Sequence, residues 1–320
     1  MTRASAIAVV AGALGAVLLV AAMRQSLFGV MLGAMLSPLP LAMAVLGFGV
    51  NFLPVAVVSG AITVMVLTGS VTLATVYLFM DAAPVALLSR LRGSDENGSA
   101  ISGASIGQSV CWLVAAAALI LAASLMFMPV GPEGIEAALR EQLDEVLTTI
   151  AAGTVMSPDG EFTAETRAQM LKLLAAVLPA AIAVHWCLRA ILSTGLAQIS
   201  LARMQLTQGL TPDYRGFAVP VWFVAPASAL IAFAWVGNGD IGFIAASAAA
   251  VLSLPLALQG LAVVHCAAAQ SRQRLVLLVV FYILALLMAS VAVVMLVTIG
   301  VVEQFYKIRA RHFVARAGGK

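Results

Sequence analysis

Residues 27–88 read LFGVMLGAMLSPLPLAMAVLGFGVNFLPVAVVSGAITVMVLTGSVTLATVYLFMDAAPVALL, and Asp81 is the only formal charge between Leu27 and Leu88. No soluble fold hides so long an uncharged stretch. A hydrocarbon core about 30 Å thick, by contrast, takes a helix of about 20 apolar residues. The stretch therefore predicts about three crossings, near 27–47, 51–69 and 71–88, punctuated by Ser37-Pro38-Leu39-Pro40, Gly47-Phe48-Gly49-Val50-Asn51 and Gly69-Ser70. Pro38 and Pro40 fall near the middle of the first of these. A proline ring removes an N–H and crowds the preceding turn, so this segment is expected to be broken there, or re-entrant.

The same pattern extends in both directions. The chain has 320 residues, of which 62% are hydrophobic and 10% charged, and its mean hydropathy is +1.08. These values lie far outside soluble-domain usage. The apolar runs lack the polar alternation of barrel strands, which leaves α-helices as the spanning form. Further spans are expected over 4–23, 108–128, 171–202 and 218–236, over a long run from Asp240 to His265, and over 275–302. The first is read as an uncleaved helix, since so many spans follow it. The expected fold is all-α, a polytopic transmembrane bundle of eight or nine spans. The count depends on whether 27–47 crosses.

Organisation follows from the same walk. An N-terminal membrane bundle over 1–130 is followed by a non-membrane insert over 131–170, a C-terminal bundle over 171–302 and a tail over 303–320 with five basic residues. In the insert, Ile135, Leu139, Leu143, Leu147 and Ile150 form one helical stripe, while Glu136, Arg140, Glu141, Asp144 and Glu145 lie mostly off it. This predicts an amphipathic helix over 133–151. Gly153 to Gly160 reads as a turn, and Thr163 as the N-cap of the helix that follows. Trp222 and Trp235 are spaced to meet the two interfacial belts.

The net charge is +3, but the basic residues sit singly or in pairs between apolar runs. They are helix-flanking anchors, and nucleic acid is not an expected partner. The positive-inside rule puts Arg3, Arg90, Arg92, Arg203, Arg215, Arg272 and Arg274 on the cytoplasmic side together with the N-terminus. Nine crossings would then leave the basic tail on the other side, an unresolved conflict. Cys111, Cys187 and Cys266 form no CxxC pair and no disulfide framework.

Ionisable and amide side chains inside apolar spans are the sharpest functional signals, because each costs about 2.5–3.5 kcal/mol at the bilayer centre. Asp81 precedes Ala82-Ala83-Pro84 and is read as an ion or ligand residue, or as the partner of Arg189. His185 and Arg189, four residues apart, share a helix face and together would meet an anionic group or a proton path, or else Arg189 snorkels to a headgroup and His185 caps a neighbouring carbonyl. Gln259 and His265 are six apart and face different ways, as interhelical hydrogen-bonding groups or ligand contacts. These five residues form the candidate ligand or ion pathway, with Pro38 and Pro40 as its helix break. No metal, cofactor or catalytic set is expected. His185/Cys187 and His265/Cys266 lack further ligands, and Gly103-Ala104-Ser105-Ile106-Gly107 matches G-x-S-x-G only within a Ser/Gly connector. Gly29 with Gly33, and Gly12 with Gly15, mark faces where helices approach closely, either within the chain or with a partner helix.

Leu36-Ser37-Pro38-Leu39-Pro40-Leu41, then Leu46-Gly47-Phe48-Gly49, then Leu258-Gln259-Gly260-Leu261-Ala262-Val263-Val264-His265 before the final helix resemble, in that order, the YybS-like predicted membrane proteins. The resemblance covers most of the chain. It implies a bacterial inner-membrane protein distantly similar to the substrate-binding subunits of energy-coupling-factor transporters. Such subunits bind a small solute within the membrane and work with a coupling partner. Two functions are therefore expected in competition: small-solute binding or transport, and a non-transporting scaffold that docks partner helices. An enzyme is not expected.

Overall fold

A computed structural model describes residues 2–23, 33, 35–91, 103–153, 164–206 and 214–314. Among them every regular element is helical: α1 (Arg3–Met23), α2 (Pro38–Phe48), α3 (Leu53–Thr68), α4 (Val71–Tyr77), α5 (Ala83–Leu91), α6 (Gly103–Met126), α7 (Ile135–Gly153), α8 (Ala164–Arg203), α9 (Val221–Val236), α10 (Gly239–Leu252), α11 (Leu254–Ala269), α12 (Arg274–Leu287) and α13 (Ala289–Tyr306). Seven helical segments are long and apolar enough to cross a membrane: Arg3–Met23, Val50–Thr68, Val71–Ser89, Ile106–Met126, Ala164–Arg203, Gly239–Ala269 and Ala289–Tyr306. Pro38–Phe48, Val221–Val236 and Arg274–Leu287 are apolar but shorter. At a rise of about 1.5 Å per residue they extend roughly 16, 24 and 21 Å, less than the hydrocarbon thickness. The chain is a polytopic helical membrane protein, and the expected eight or nine spans agree approximately with seven long helices and three short ones.

The turns follow from local chemistry. Gly69 ends α3 in the left-handed conformation, φ +66°, with its N–H bonded to the Met65 carbonyl. Ser70 then starts α4 by accepting a hydrogen bond from the Leu73 N–H at 3.2 Å, so two residues end one helix and begin the next. At the double proline, Met35 and Leu36 are helical, Ser37 forms a turn and α2 begins at Pro38. Pro38 and Pro40 thus lie in the first turn of α2, where missing N–H groups cost little, directly after Ser37, which keeps right-handed helical angles. The start of the expected 27–47 helix lies outside the described residues, as do Gly29 of the glycine pair and the 154–163 turn with Thr163. Gly103 to Gly107 opens α6 where a connector was expected.

By internal contacts the chain divides into two units. The first comprises Met1–Leu113, Trp186–Pro220 and Pro255–Lys320. In it α1 packs chiefly along α3, and two apolar clusters fill the interior. One gathers Ala8, Leu41, Val45, Ala56, Val85 and Ala197, and the other Ala16, Leu19, Val64 and Tyr77.

The second unit comprises Val114–His185 and Val221–Leu254, with α9 packed on α10. Its amphipathic helix α7 has Ile135 buried and Leu139, Leu143 and Leu147 half-buried, with Glu141 and Glu145 exposed, as the stripe predicts. Asp240 caps this helix by accepting from the Ile135 N–H at 2.8 Å. Arg167 ties it to the start of α8 through Asp144 and Thr148, at 2.7 and 2.8 Å.

The stretch 275–302, expected as one span, is two helices broken at Met288, φ −121° and ψ +49°. No proline or glycine marks this break, and Ser290 is the one polar residue near it.

Candidate functional site

Two polar constellations lie within the first unit. The first is built on a defect. After α4 the helix widens into a π turn over Leu78–Ala82, and the Ala83 N–H bonds to the Leu78 carbonyl, five residues back. In that register the next donor, for the Phe79 carbonyl, would be residue 84. Residue 84 is proline and has no N–H, and for the same reason it cannot serve the Met80 carbonyl in ordinary α register. Side chains of α8 take both acceptors: Trp186 Nε1 donates to the Phe79 carbonyl at 3.1 Å, and Arg189 Nη2 to the Met80 carbonyl at 3.0 Å.

Arg189 also pairs with Asp81. Asp81 is 0% and Arg189 5% exposed, so two opposite charges are neutralised in the interior of a membrane bundle. The Tyr77 hydroxyl is buried with no hydrogen-bond partner among the described residues.

His185 does not join this group. It is exposed while Arg189 is buried. Cys187, next to Trp186, is fully buried.

The second constellation surrounds Gln259, 1% exposed. Its Oε1 accepts from the Val219 N–H at 2.6 Å. Its Nε2 donates to the Gly300 carbonyl at 3.0 Å and to Gln304 Oε1 at 3.1 Å, and Gln304 Nε2 returns a bond to the Val219 carbonyl at 3.3 Å. This close approach requires two glycines. A Cβ on Gly260 would overlap the Leu296 carbonyl, and one on Gly300 the Leu256 carbonyl.

From this contact a cavity of about 820 Å³ opens, lined by Gln259, Cys266 and Gln270 of α11 and its end, and by Glu303, Gln304, Lys307 and Arg309. Arg215, Ala218 and Val219 complete the wall. Residues 259–270 and 303–310 line it side by side in the same chain direction, so α11 and α13 run parallel here. Two parallel helices need a returning pass between them, and α12 supplies it.

On the cavity wall Glu303 and Arg309 form an ion pair at 2.7 Å. Arg309 Nη1 also donates to the Arg215 carbonyl, to which the Cys266 thiol donates at 3.7 Å. Tyr214 donates its hydroxyl to the Leu258 carbonyl at 3.0 Å and meets His265 edge-on, with centroids 5.9 Å apart. His265 Nε2 shares a hydrogen bond with the Tyr282 hydroxyl at 3.1 Å. Burial, reinforced by Tyr282 and opposed by Arg309, pushes the Tyr214 phenol above its ordinary range. Gln259 and His265 therefore face different partners, as their spacing implies.

One consequence concerns topology. Arg215, the end of α11 and the start of the tail all meet at one end of this unit. The described start of the tail therefore lies beside Arg215. Sequence reasoning missed Glu303, Gln304 and Arg309 as site residues, because they fall where a span passes into a basic tail. The signal available was a carboxylate and an amide at the end of an otherwise apolar helix.

The described residues define a polytopic helical membrane protein with a buried Asp81–Arg189 ion pair and a cavity beside Gln259. Residues 13–303 match the predicted membrane protein family DUF2232, and the chain belongs to that family. No curated protein and no solved structure matches it.

Proposed function

We propose that this protein binds a small solute at the cavity around Gln259, in the manner of a transporter's substrate-binding subunit. The observation that carries the reading is the cavity itself. Its volume of about 820 Å³ falls within the roughly 300–1,000 Å³ of small-molecule sites, and a few convergent polar groups stand on largely apolar walls. The resemblance to the YybS-like proteins, and through them to energy-coupling-factor substrate-binding subunits, points the same way. Under the positive-inside rule the end that gathers Arg215, Arg274, Lys307 and Arg309 faces the cytoplasm of a bacterial inner membrane.

In this reading Asp81 and Arg189 neutralise each other and hold α8 to the π turn, and solute contacts fall to the Gln259 end. The test is thermal unfolding of the purified protein in detergent against a panel of metabolites and ions. A solute that raises the midpoint in the parent and fails to do so when Ala269 at the cavity wall is changed to Trp supports the reading. A panel with no stabilising solute removes it.

A second reading, a scaffold that docks a membrane partner or coupling subunit, is favoured by α12, none of whose residues is buried. Crosslinking from α12 that returns no reproducible membrane partner would count against it.

A further inference from the structure

One wall of the cavity beside Gln259 comes from the tail. Lys307, Arg309 and Ala310 line it, yet α13 ends at Tyr306, and the chain continues as a short helical turn over Arg309–Val314. Among the described elements, none packs extensively against that turn. The specific contacts that hold it are polar. Arg309 Nε donates to Glu303 Oε1 at 2.7 Å and the Arg309 backbone N–H to Glu303 Oε2 at 3.2 Å, while Arg309 Nη1 reaches across to the Arg215 carbonyl.

The joint between α13 and this turn is Lys307. It stands in the left-handed region, φ +49° and ψ +49°, which a residue with a side chain enters at a cost and which glycine usually supplies at a helix end. A lysine in that conformation is held there by its neighbours. Glu303 acts on both sides of it: its carbonyl accepts the Lys307 N–H at 2.9 Å, and its carboxylate takes the two Arg309 donors. The carboxylate is largely out of water, with Glu303 6% exposed, and Lys307 is exposed. A guanidinium that forks to a carboxylate and a carbonyl fastens the turn at two points at once. Segments held by a few polar contacts and little apolar burial open at low cost, and gating elements are drawn from this end of a fold's stability range.

We infer that residues 307–310 are a strap forming a movable wall of the cavity, hinged at Lys307 and fastened by Arg309 to Glu303 and to the Arg215 carbonyl. Lifting the strap opens the cavity to exchange. Its regulatory sense rests on the solute-binding reading above, but the strap can be observed without any solute.

Cys266 reports on it. The residue lines the cavity, and its thiol donates at 3.7 Å to the same Arg215 carbonyl that Arg309 engages. Cys111 and Cys187 are 0% exposed and mark global unfolding. The full chain in detergent is treated with N-ethylmaleimide under native conditions, and each cysteine peptide is followed by mass spectrometry. R309A should raise the Cys266 rate over the parent by about tenfold or more. R309K, which keeps a charge for Glu303 but cannot fork to the carbonyl, should fall between the two. R311A removes an equal charge from an exposed position of the same turn and should leave the rate unchanged. Added salt, which screens the pair, should speed the parent and not R309A. Throughout, Cys111 and Cys187 should stay unmodified. A Cys266 rate unmoved by R309A overturns the inference. So does an equal rise in R311A, or a rise accompanied by modification of Cys111 and Cys187, which would make the pair a support of the whole fold. If a solute stabilises the parent while R309A leaves Cys266 unmoved, the solute-binding reading stands and the strap falls. If no solute stabilises it while R309A and salt act as stated, the strap stands and that reading falls.

Discussion

Replacing Asp81 by Asn leaves the Arg189 guanidinium buried without its counter-charge. Breaking a buried pair by removing one partner costs about 3–5 kcal/mol, most of it the penalty of the orphaned charge. The full range applies here because neither side chain reaches solvent, at 0% and 5% exposure, and no water in the hydrocarbon relieves it. Removing both charges with similar volume, as in Asp81→Leu with Arg189→Met, is predicted to cost far less than either single change. What remains is the Met80 carbonyl, which loses its donor at about 1–3 kcal/mol.

The protein carries its own reporter. Cys111 and Cys187 are both 0% exposed, so in a Cys266→Ser background a thiol-reactive dye reports unfolding as these two thiols appear. The expected order of midpoints is parent first, double variant close behind, and each single variant well below. An Asp81→Asn midpoint equal to that of the parent, or a double variant less stable than both singles, would refute the view that the pair acts as a mutually neutralising clamp.

Gln259→Leu keeps the volume but strips partners from the Val219 N–H and the Gly300 carbonyl, at about 1–3 kcal/mol for each buried group left unpaired. The same dye assay should show it as clearly destabilised, and Gln259→Glu would not rescue it. Gly260→Ala places a Cβ on the Leu296 carbonyl. The helices must part at a cost of about 1–3 kcal/mol, and crosslinking between cysteines placed on α11 and α13 should slow. Asp240→Ala removes the cap of α7 and should cost about 1 kcal/mol, with faster hydrogen exchange confined to the first turn of that helix. For Tyr214, the folded state keeps its proton at pH values where the unfolded chain, with an ordinary value of about 10, releases it. Stability contributed by that group is present below pH 10 and falls as pH rises above it. Tyr214→Phe should flatten the alkaline loss of midpoint.

The membrane class, the approximate number of helices and the acidic surface helix are legible in the sequence, because hydropathy and periodicity are local properties. Gly69-Ser70 can be read as a boundary because each residue does a known job at a helix end. The pairing of Asp81 with Arg189 is half legible. Opposite charges stranded in apolar spans must find partners, but one sequence does not say which. The π turn is not legible, since a single added residue per turn leaves the apolar pattern intact. The break at Met288 is hidden for a similar reason. Gln259 was visible as an amide in a span. Its companions Glu303, Gln304 and Arg309 were not, because they come from a segment some 45 residues on that looks like an ordinary basic terminus.

The three stretches that wall the cavity enter the membrane at different times during synthesis. The Arg215 segment emerges first, α11 follows, and residues 303–310 come last. Until that last segment arrives, the amide of Gln259 has no Gly300 carbonyl to engage and the Arg215 carbonyl has no Arg309. The pocket therefore cannot form progressively as the chain inserts. It is complete only once the last segment has packed, with Gly260 against Gly300. A ribosome stalled before residue 296 would leave an inserted protein with a clamp at Asp81 and no cavity at all.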